Sequence, residues 1–140
     1  MYILDTNTVS ELRKVAMRRG DRNVAAWASR VEIEDQYLSA ISIQELEIGI
    51  LLAERKDPSK GAVLRSWMTR QVLHHFRDRI LAIDSAVALR SAHLHTQRTR
   101  PISDALIAAT AFVHGLSVVT RNVRDFHDTG VNVIDPWLPQ

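Results

Sequence analysis

Cysteine does not occur in the 140 residues, which removes disulfides, thiolate zinc sites and cysteine nucleophiles together. Any metal must be held by oxygen or imidazole. Lysine is nearly missing as well: Lys14, Lys56 and Lys60 are the only ones, so from residue 61 onward every fixed positive charge is a guanidinium. Arginine suits bidentate phosphate contacts and buried ion pairs, although genomic base composition produces the same bias. Long apolar runs are absent. Stretches such as Ile48 to Ala53 fall far short of the ~20 residues of a membrane span, and the start lacks a basic segment followed by an apolar one. The expectation is a cytoplasmic, unprocessed protein with no membrane partner. Pro/Gly-rich segments, single-charge arms and internal repeats are also lacking. The net charge of +2 is too small for a polybasic binder, while the pI of 9.4 leans toward nucleic acid.

What the chain does have begins at its first residues. Met1 to Leu4 is an apolar tetrad that runs into Asp5 and the polar turn Thr6-Asn7-Thr8. A buried parallel strand has this form when it delivers an acid to the carboxyl edge of a sheet, where open α/β folds bind their ligands. Asp is also common in loops after strands, so Asp5 alone is equally a turn residue. Its meaning depends on what the rest of the chain sets beside it. With 46% apolar residues, a single domain over 1–140 is expected.

A helix is expected from about Thr8, capped by the Thr8 hydroxyl with Glu11 reaching back, and a second over 21–30 with Val24, Trp27 and Ala28 on one face. Residues 32–35 read as a solvated acidic connection, and 37–41 as a second strand. Ser42 and Glu45, spaced as a capping box, open a helix that stops before Asp57-Pro58. Residues 61–79 have amphipathic helical spacing, with Val63, Leu64, Trp67, Met68, Val72 and Phe76 on the apolar face, and 80–83 read as a third buried strand. Asp84-Ser85 caps a helix to about His95, residues 93–101 form the most basic loop, and 102–111 make an almost wholly apolar helix. A fourth strand over 116–120, a polar loop over 121–126 and a short strand over 131–134 complete the pattern. Strands alternating with helices predict an α/β sandwich with a mostly parallel, about five-stranded sheet.

In such a sheet every strand-to-helix loop opens on the same edge, because each crossover returns the chain with the same polarity and hand. Asp5 follows strand one, Glu45 lies just after strand two, Asp104 starts the apolar helix before strand four, and Asn122 and Asp125 follow strand four. They are expected to be neighbours. Each also has a local explanation in a helix cap, a helix dipole or a turn, worth about 1 kcal/mol or less. Asp104 fits that explanation least, as the only charge between Pro101 and Arg121. Carboxylates buried face to face repel unless something positive sits between them. Carboxylates with an amide oxygen and water form an all-oxygen site suited to Mg²⁺ or Mn²⁺, which bridges a phosphate and generates a hydroxide nucleophile.

The segments Ile3-Leu4-Asp5-Thr6-Asn7, Ser42-Ile43-Gln44-Glu45-Leu46, Ser103 to Ala111 and Thr120 to Phe126 resemble, in order and spacing, PIN-domain ribonucleases of the VapC and FitB type. The resemblance spans nearly the whole chain, down to Pro136-Trp137. One segment is a weak signal, but four in order are specific. The resemblance implies a PIN-like three-layer sandwich and a Mg²⁺-dependent endoribonuclease. It further implies the toxin of a type II toxin–antitoxin pair, usually a homodimer, silenced by a small VapB- or FitA-like antitoxin through which it reaches operator DNA. By the same resemblance Asp5, Glu45 and Asp104 fall on the family's acidic triad. Asp5 and Asp104 would hold the metal, and Glu45 would hold metal-bound water or act as its base. The fourth position stays open: many relatives have an Asp where this chain has Asn122, so either Asn122 serves as a neutral ligand or Asp125 supplies the charge.

Two other classes compete. Asp5-Thr6-Asn7-Thr8 also resembles the nucleophile loop of haloacid-dehalogenase-like phosphatases, and receiver domains use acids at the same kind of edge, but both need a lysine that the second half lacks. The non-enzymatic alternative is a FitB-like regulatory subunit that binds operator DNA with its antitoxin, against which the intact triad argues. His74-His75 and His93-Leu94-His95 lack the i, i+4 spacing of a zinc pair. Trp27, Trp67 and Trp137 read as core or interface anchors rather than base-stacking platforms. Arg98 and Arg100 read equally as phosphate contacts or a solvated loop. No motif encodes the RNA target.

Overall fold

Tyr2–Leu4 is apolar on both faces because it forms β1, the central strand of the sheet, paired with a neighbour on each side. The structure, a computed structural model, describes residues 1–140. From β1 the chain runs through α1 (Thr6–Ala16), α2 (Arg22–Arg30) and a 3₁₀ turn (Ile33–Asp35) into β2 (Gln36–Ser39). Next come α3 (Ala40–Lys56), α4 (Pro58–Trp67), a π turn (Met68–Val72) and α5 (Leu73–His75). Then follow β3 (Ile80–Leu81), α6 (Ser85–Gln97), α7 (Ile102–His114), β4 (Ser117–Val119), α8 (Val123–Phe126) and β5 (Val133–Ile134). The strand order is β3-β2-β1-β4-β5, and every pairing is parallel. The expected three-layer α/β sandwich is therefore present.

Alternation along each strand splits the core in two. Leu4, Leu38 and Val119 pack with Val9, Trp27, Leu46, Ile50 and Met68 under α1 to α5. Ile3 and Val118 pack with Leu94, Ala105, Ile107, Ala108 and Phe126 under α6 to α8. Helix α7 is the best covered, because alanines on its buried side let it lie close to the sheet, and Gly115 ends it at φ 68°, a left-handed turn that favours glycine. Asp57 serves two helices. Its N–H donates to Ala53 O at the end of α3, its Oδ1 accepts from Lys60 N, and Pro58 takes the first position of α4.

Several local expectations are corrected. Asp5, not Thr8, caps α1, and Glu11 accepts from Asp21 N at 2.7 Å instead of reaching back. Ser39 caps α3 by accepting from Ile41 N, so no Ser42–Glu45 capping box forms and the second strand ends at Ser39, with Ile41 already helical. The 61–79 helix begins at Pro58 and ends at His75, broken by the π turn, and Val63 is 58% exposed. Strand β3 is a half-buried edge of two residues, with Ile83 39% exposed beyond it. His93 to Gln97 belong to α6, leaving a shorter loop, and the polar stretch after β4 contains α8. Strands β4 and β5 are shorter than expected.

Candidate active site

Asp5 reaches the carboxyl edge because β1 ends there, and its extended backbone makes it the cap of α1. Only 5% exposed, it is held by three donors. Thr8 N–H and hydroxyl donate to Oδ1 at 2.8 and 2.7 Å, and the Thr120 hydroxyl donates to Oδ2 at 2.5 Å. Burial pushes the Asp5 carboxyl above its ordinary range; these hydrogen bonds oppose the rise, and nearby Glu45 adds to it. Thr120 in turn accepts from Asn122 N–H at 3.0 Å, which ties the loop after β4 to the same acid.

Glu45 stands half-buried on α3, where the Thr6 hydroxyl donates to its Oε1 at 2.6 Å; Thr6 Oγ1 is also 3.1 Å from buried Ser42 Oγ. Asp104, in the first turn of α7, has its carboxyl pushed up to about 6. Burial is the main cause, followed by the charges of Asp125, Asp5 and Glu45 in that order, with Arg100 opposing. Asp125, Asp5 and Glu45 therefore all act on Asp104 at this edge. Asn122 and Asp125 line one cleft of about 740 Å³, and Asp125 is the acid whose charge Asp104 feels most.

The donors are all oxygen and carry four formal negative charges, with Arg100 the one cation acting on Asp104. Such a set suits a hard divalent ion in chemistry. As the side chains stand, no three acidic or histidine groups are drawn together as ligands of one ion. The histidines stay apart from the acids: His74 and His75 stack edge to face on an exposed turn, and His93 and His95 lie on the outer side of α6.

Sequence reasoning missed the residues that fix the acids. Thr6, Thr8 and Thr120 are ordinary turn residues until the fold sets them against carboxylates 39, 3 and 115 positions away. Arg98 and Arg100 were expected to be solvated or to contact phosphate, but both bind Asp128. Arg98 Nε meets Oδ2 at 2.7 Å, and Arg100 Nη1 meets Oδ1 at 3.3 Å with its side chain fully buried. Arg98 Nη2 also donates to Arg124 O at 3.0 Å. This clamp straps α8, which carries Asp125, to the loop leading into Asp104. Hydrogen bonds from Arg98 first, and then Arg100, hold the Asp128 carboxyl well below the usual carboxylate range.

The family model described as the PIN domain matches residues 2–132. The chain belongs to the PIN-domain family. Within it, the VapC ribonuclease Y4jK of Sinorhizobium fredii is 35% identical over 144 residues, covering 99% of both chains. Toxin FitB of Neisseria gonorrhoeae is 36% identical over 143 residues, covering 98% of this chain and 99% of its own. The solved structure of FitAB bound to an IR36 DNA fragment superposes with a TM-score of 0.88 at 33% identity, covering 100% of this chain and 98% of that one. This PIN domain therefore groups with the VapC and FitB toxins.

Proposed function

We propose that this PIN protein is a Mg²⁺-dependent endoribonuclease, with Mn²⁺ as a substitute, and the toxin of a type II toxin–antitoxin pair. The observation that carries the reading is the gathering of Asp5, Glu45, Asp104 and Asp125 at one sheet edge, with the Asp104 carboxyl raised to about 6 by burial and the other acids. Asp5 and Asp104, with Glu45, would hold the cation. When bound, it would supply an activated water and offset charge on the scissile phosphodiester. Asp5 is preset for this by its three donors, which fix both carboxylate oxygens. Glu45, oriented by Thr6, is the base that takes a proton from the attacking water. Asp125 fits the fourth position better than Asn122 because its charge acts on Asp104.

The likeness to FitAB supports a small FitA- or VapB-like antitoxin as partner and operator DNA as a target of the pair. The same likeness favours the second reading, a mainly regulatory subunit. A homodimer formed by one domain of residues 1–140, acting in the cytoplasm, completes the proposal. Exposed Ile48, Leu51 and Leu52 on α3 supply apolar surface for such association. The test is cleavage of single-stranded RNA by the purified chain free of partners. Cleavage should require Mg²⁺ or Mn²⁺ and stop on chelation. Persistence in excess EDTA contradicts the metal, and no cleavage under any condition favours the regulatory reading.

A further inference from the structure

Four arginines crowd the carboxyl edge beside the acids: Arg98, Arg100, Arg121 and Arg124. Asp128 neutralises the first two. Arg121 and Arg124 are exposed, and neither takes part in any ion pair. Both line the cleft of about 740 Å³ that reaches Asn122 and Asp125. The Arg121 side chain and the Arg124 backbone are also held in place. Arg121 lies over the Trp137 ring at 5.5 Å, and Trp137 is fixed at both backbone groups: its N–H donates to Asp135 Oδ1 and its carbonyl accepts from Asn23 Nδ2. The carbonyl of Arg124 accepts from Arg98 Nη2 at 3.0 Å and meets His127 Nδ1 at 2.9 Å. Two guanidinium groups are thus left free of carboxylates three positions apart, on a wall fastened from behind.

We propose that Arg121 and Arg124 bind backbone phosphates of single-stranded RNA and lead the strand through this cleft toward Asp125 and the other acids. The inference rests on the ribonuclease reading and says where its substrate lies. A polyanion approaching an edge of four carboxylates is repelled, and unpaired guanidinium groups beside those acids offset the repulsion with planar, bidentate phosphate contacts. The cleft, at about 740 Å³, is in the size range of small-ligand pockets. Asp135, the other acid on its lining, is engaged by the Trp137 N–H. Arg121 and Arg124 are positioning residues. They act on binding and leave the proton and bond steps to the acids.

The test measures binding of a fluorescently labelled single-stranded RNA oligonucleotide by anisotropy in EDTA, where it is not cut, across a salt series. Three proteins are compared: wild type, Arg121→Gln/Arg124→Gln, and a control, Arg30→Gln/Arg77→Gln, that removes two exposed charges at the opposite, amino edge. Single strands lose about 0.7 in the slope of log K against log salt per phosphate contact, so the first variant should lose about 1.4 and bind at least about tenfold more weakly near 0.1 M salt. Arg124→Gln alone should lose about half of that slope, and the control should match wild type. With Mg²⁺ present the double variant should raise KM while kcat at saturation stays within about threefold. An unchanged slope, or an equal loss in the control, overturns the inference. Wild type that binds RNA with the expected slope but does not cut it sinks the ribonuclease reading and leaves the phosphate path standing. Wild type that cuts RNA while the double variant binds it normally sinks only the path.

Discussion

Thr6 donates its hydroxyl proton to Glu45 Oε1 across 2.6 Å, so that α1 sets the orientation of an acid carried by α3. Because Ser39 caps α3, Glu45 has no helix-end duty to lose. Glu45→Gln keeps an acceptor oxygen for Thr6 and should melt within a few degrees of wild type. An amide cannot take a proton, so metal-dependent RNA cleavage should fall at least about a hundredfold. Melts paired with cleavage rates check both halves; near-normal cleavage would leave Asp5 and Asp104 without Glu45 in the chemistry.

Asp5 and Asp104 should respond oppositely to the same substitution. Asp5 accepts three hydrogen bonds on its two oxygens, and Asn offers one oxygen and two donors, so Asp5→Asn should cost about 1–3 kcal/mol of stability. No hydrogen-bond donor satisfies Asp104, whose charge is opposed by burial and by three acids. Asp104→Asn should therefore fold as well as wild type or better in EDTA. Both should lose cleavage. Denaturant melts distinguish them, and a strongly destabilised Asp104→Asn would make Asp104 a structural acid.

The stability of the metal-free chain should depend on pH with a definite sign. The Asp104 carboxyl lies at about 6 in the fold against 3.8 ordinarily, so between those values the unfolded chain has lost a proton that the folded chain keeps. Stability should fall as pH rises from about 4 to about 6 and level off above, with Asp5 adding in the same direction. After discounting for solvent around a half-buried group, the Asp104 share is about 2 kcal/mol. Urea melts in EDTA across this window should show the decline in wild type and a flatter profile in Asp104→Asn. Equal slopes in the two proteins would count against it.

Asp128→Asn should loosen the clamp. It removes the only carboxylate paired with the fully buried Arg100 side chain and the partner of Arg98, so the Tm should drop by about 5 °C or more. Amide exchange should quicken first in α8, which Arg98 holds through the Arg124 carbonyl. Unchanged exchange there would mean that α8 is fixed by packing of Phe126 alone.

The convergence of Asp5, Glu45, Asp104 and Asp125 was legible because parallel crossovers share one hand, which sends every strand's carboxyl end to one edge. Caps were legible only to within a turn. Asp5 and Thr8, like Ser39 and Ser42, are equally good capping residues three positions apart, and the chain's extended backbone chooses between them by tertiary pairing. The apolar face of 61–79 was misread at Val63 because the stripe that packs against the core runs through Leu64 and Met68, one position further round the helix. Thr6 with Glu45 and Arg100 with Asp128 left no local signal. Such pairs join residues 39 and 28 positions apart on different elements, and neither member has a spacing that points to the other.

The central place of β1 sets when the acidic edge can exist during synthesis. Asp5 is made before the strand that seats it, β4, and before the Thr120 hydroxyl that fixes its Oδ2, which follows 115 positions later. Asp104 and Asp125 follow the same late schedule. A nascent chain therefore carries Asp5 with only its local Thr8 partner until β4 and Thr120 have emerged, and the edge closes only then. A ribosome stalled between Glu45 and Asp104 yields a fragment that has the first two acids without the strand and the carboxylates that complete the edge.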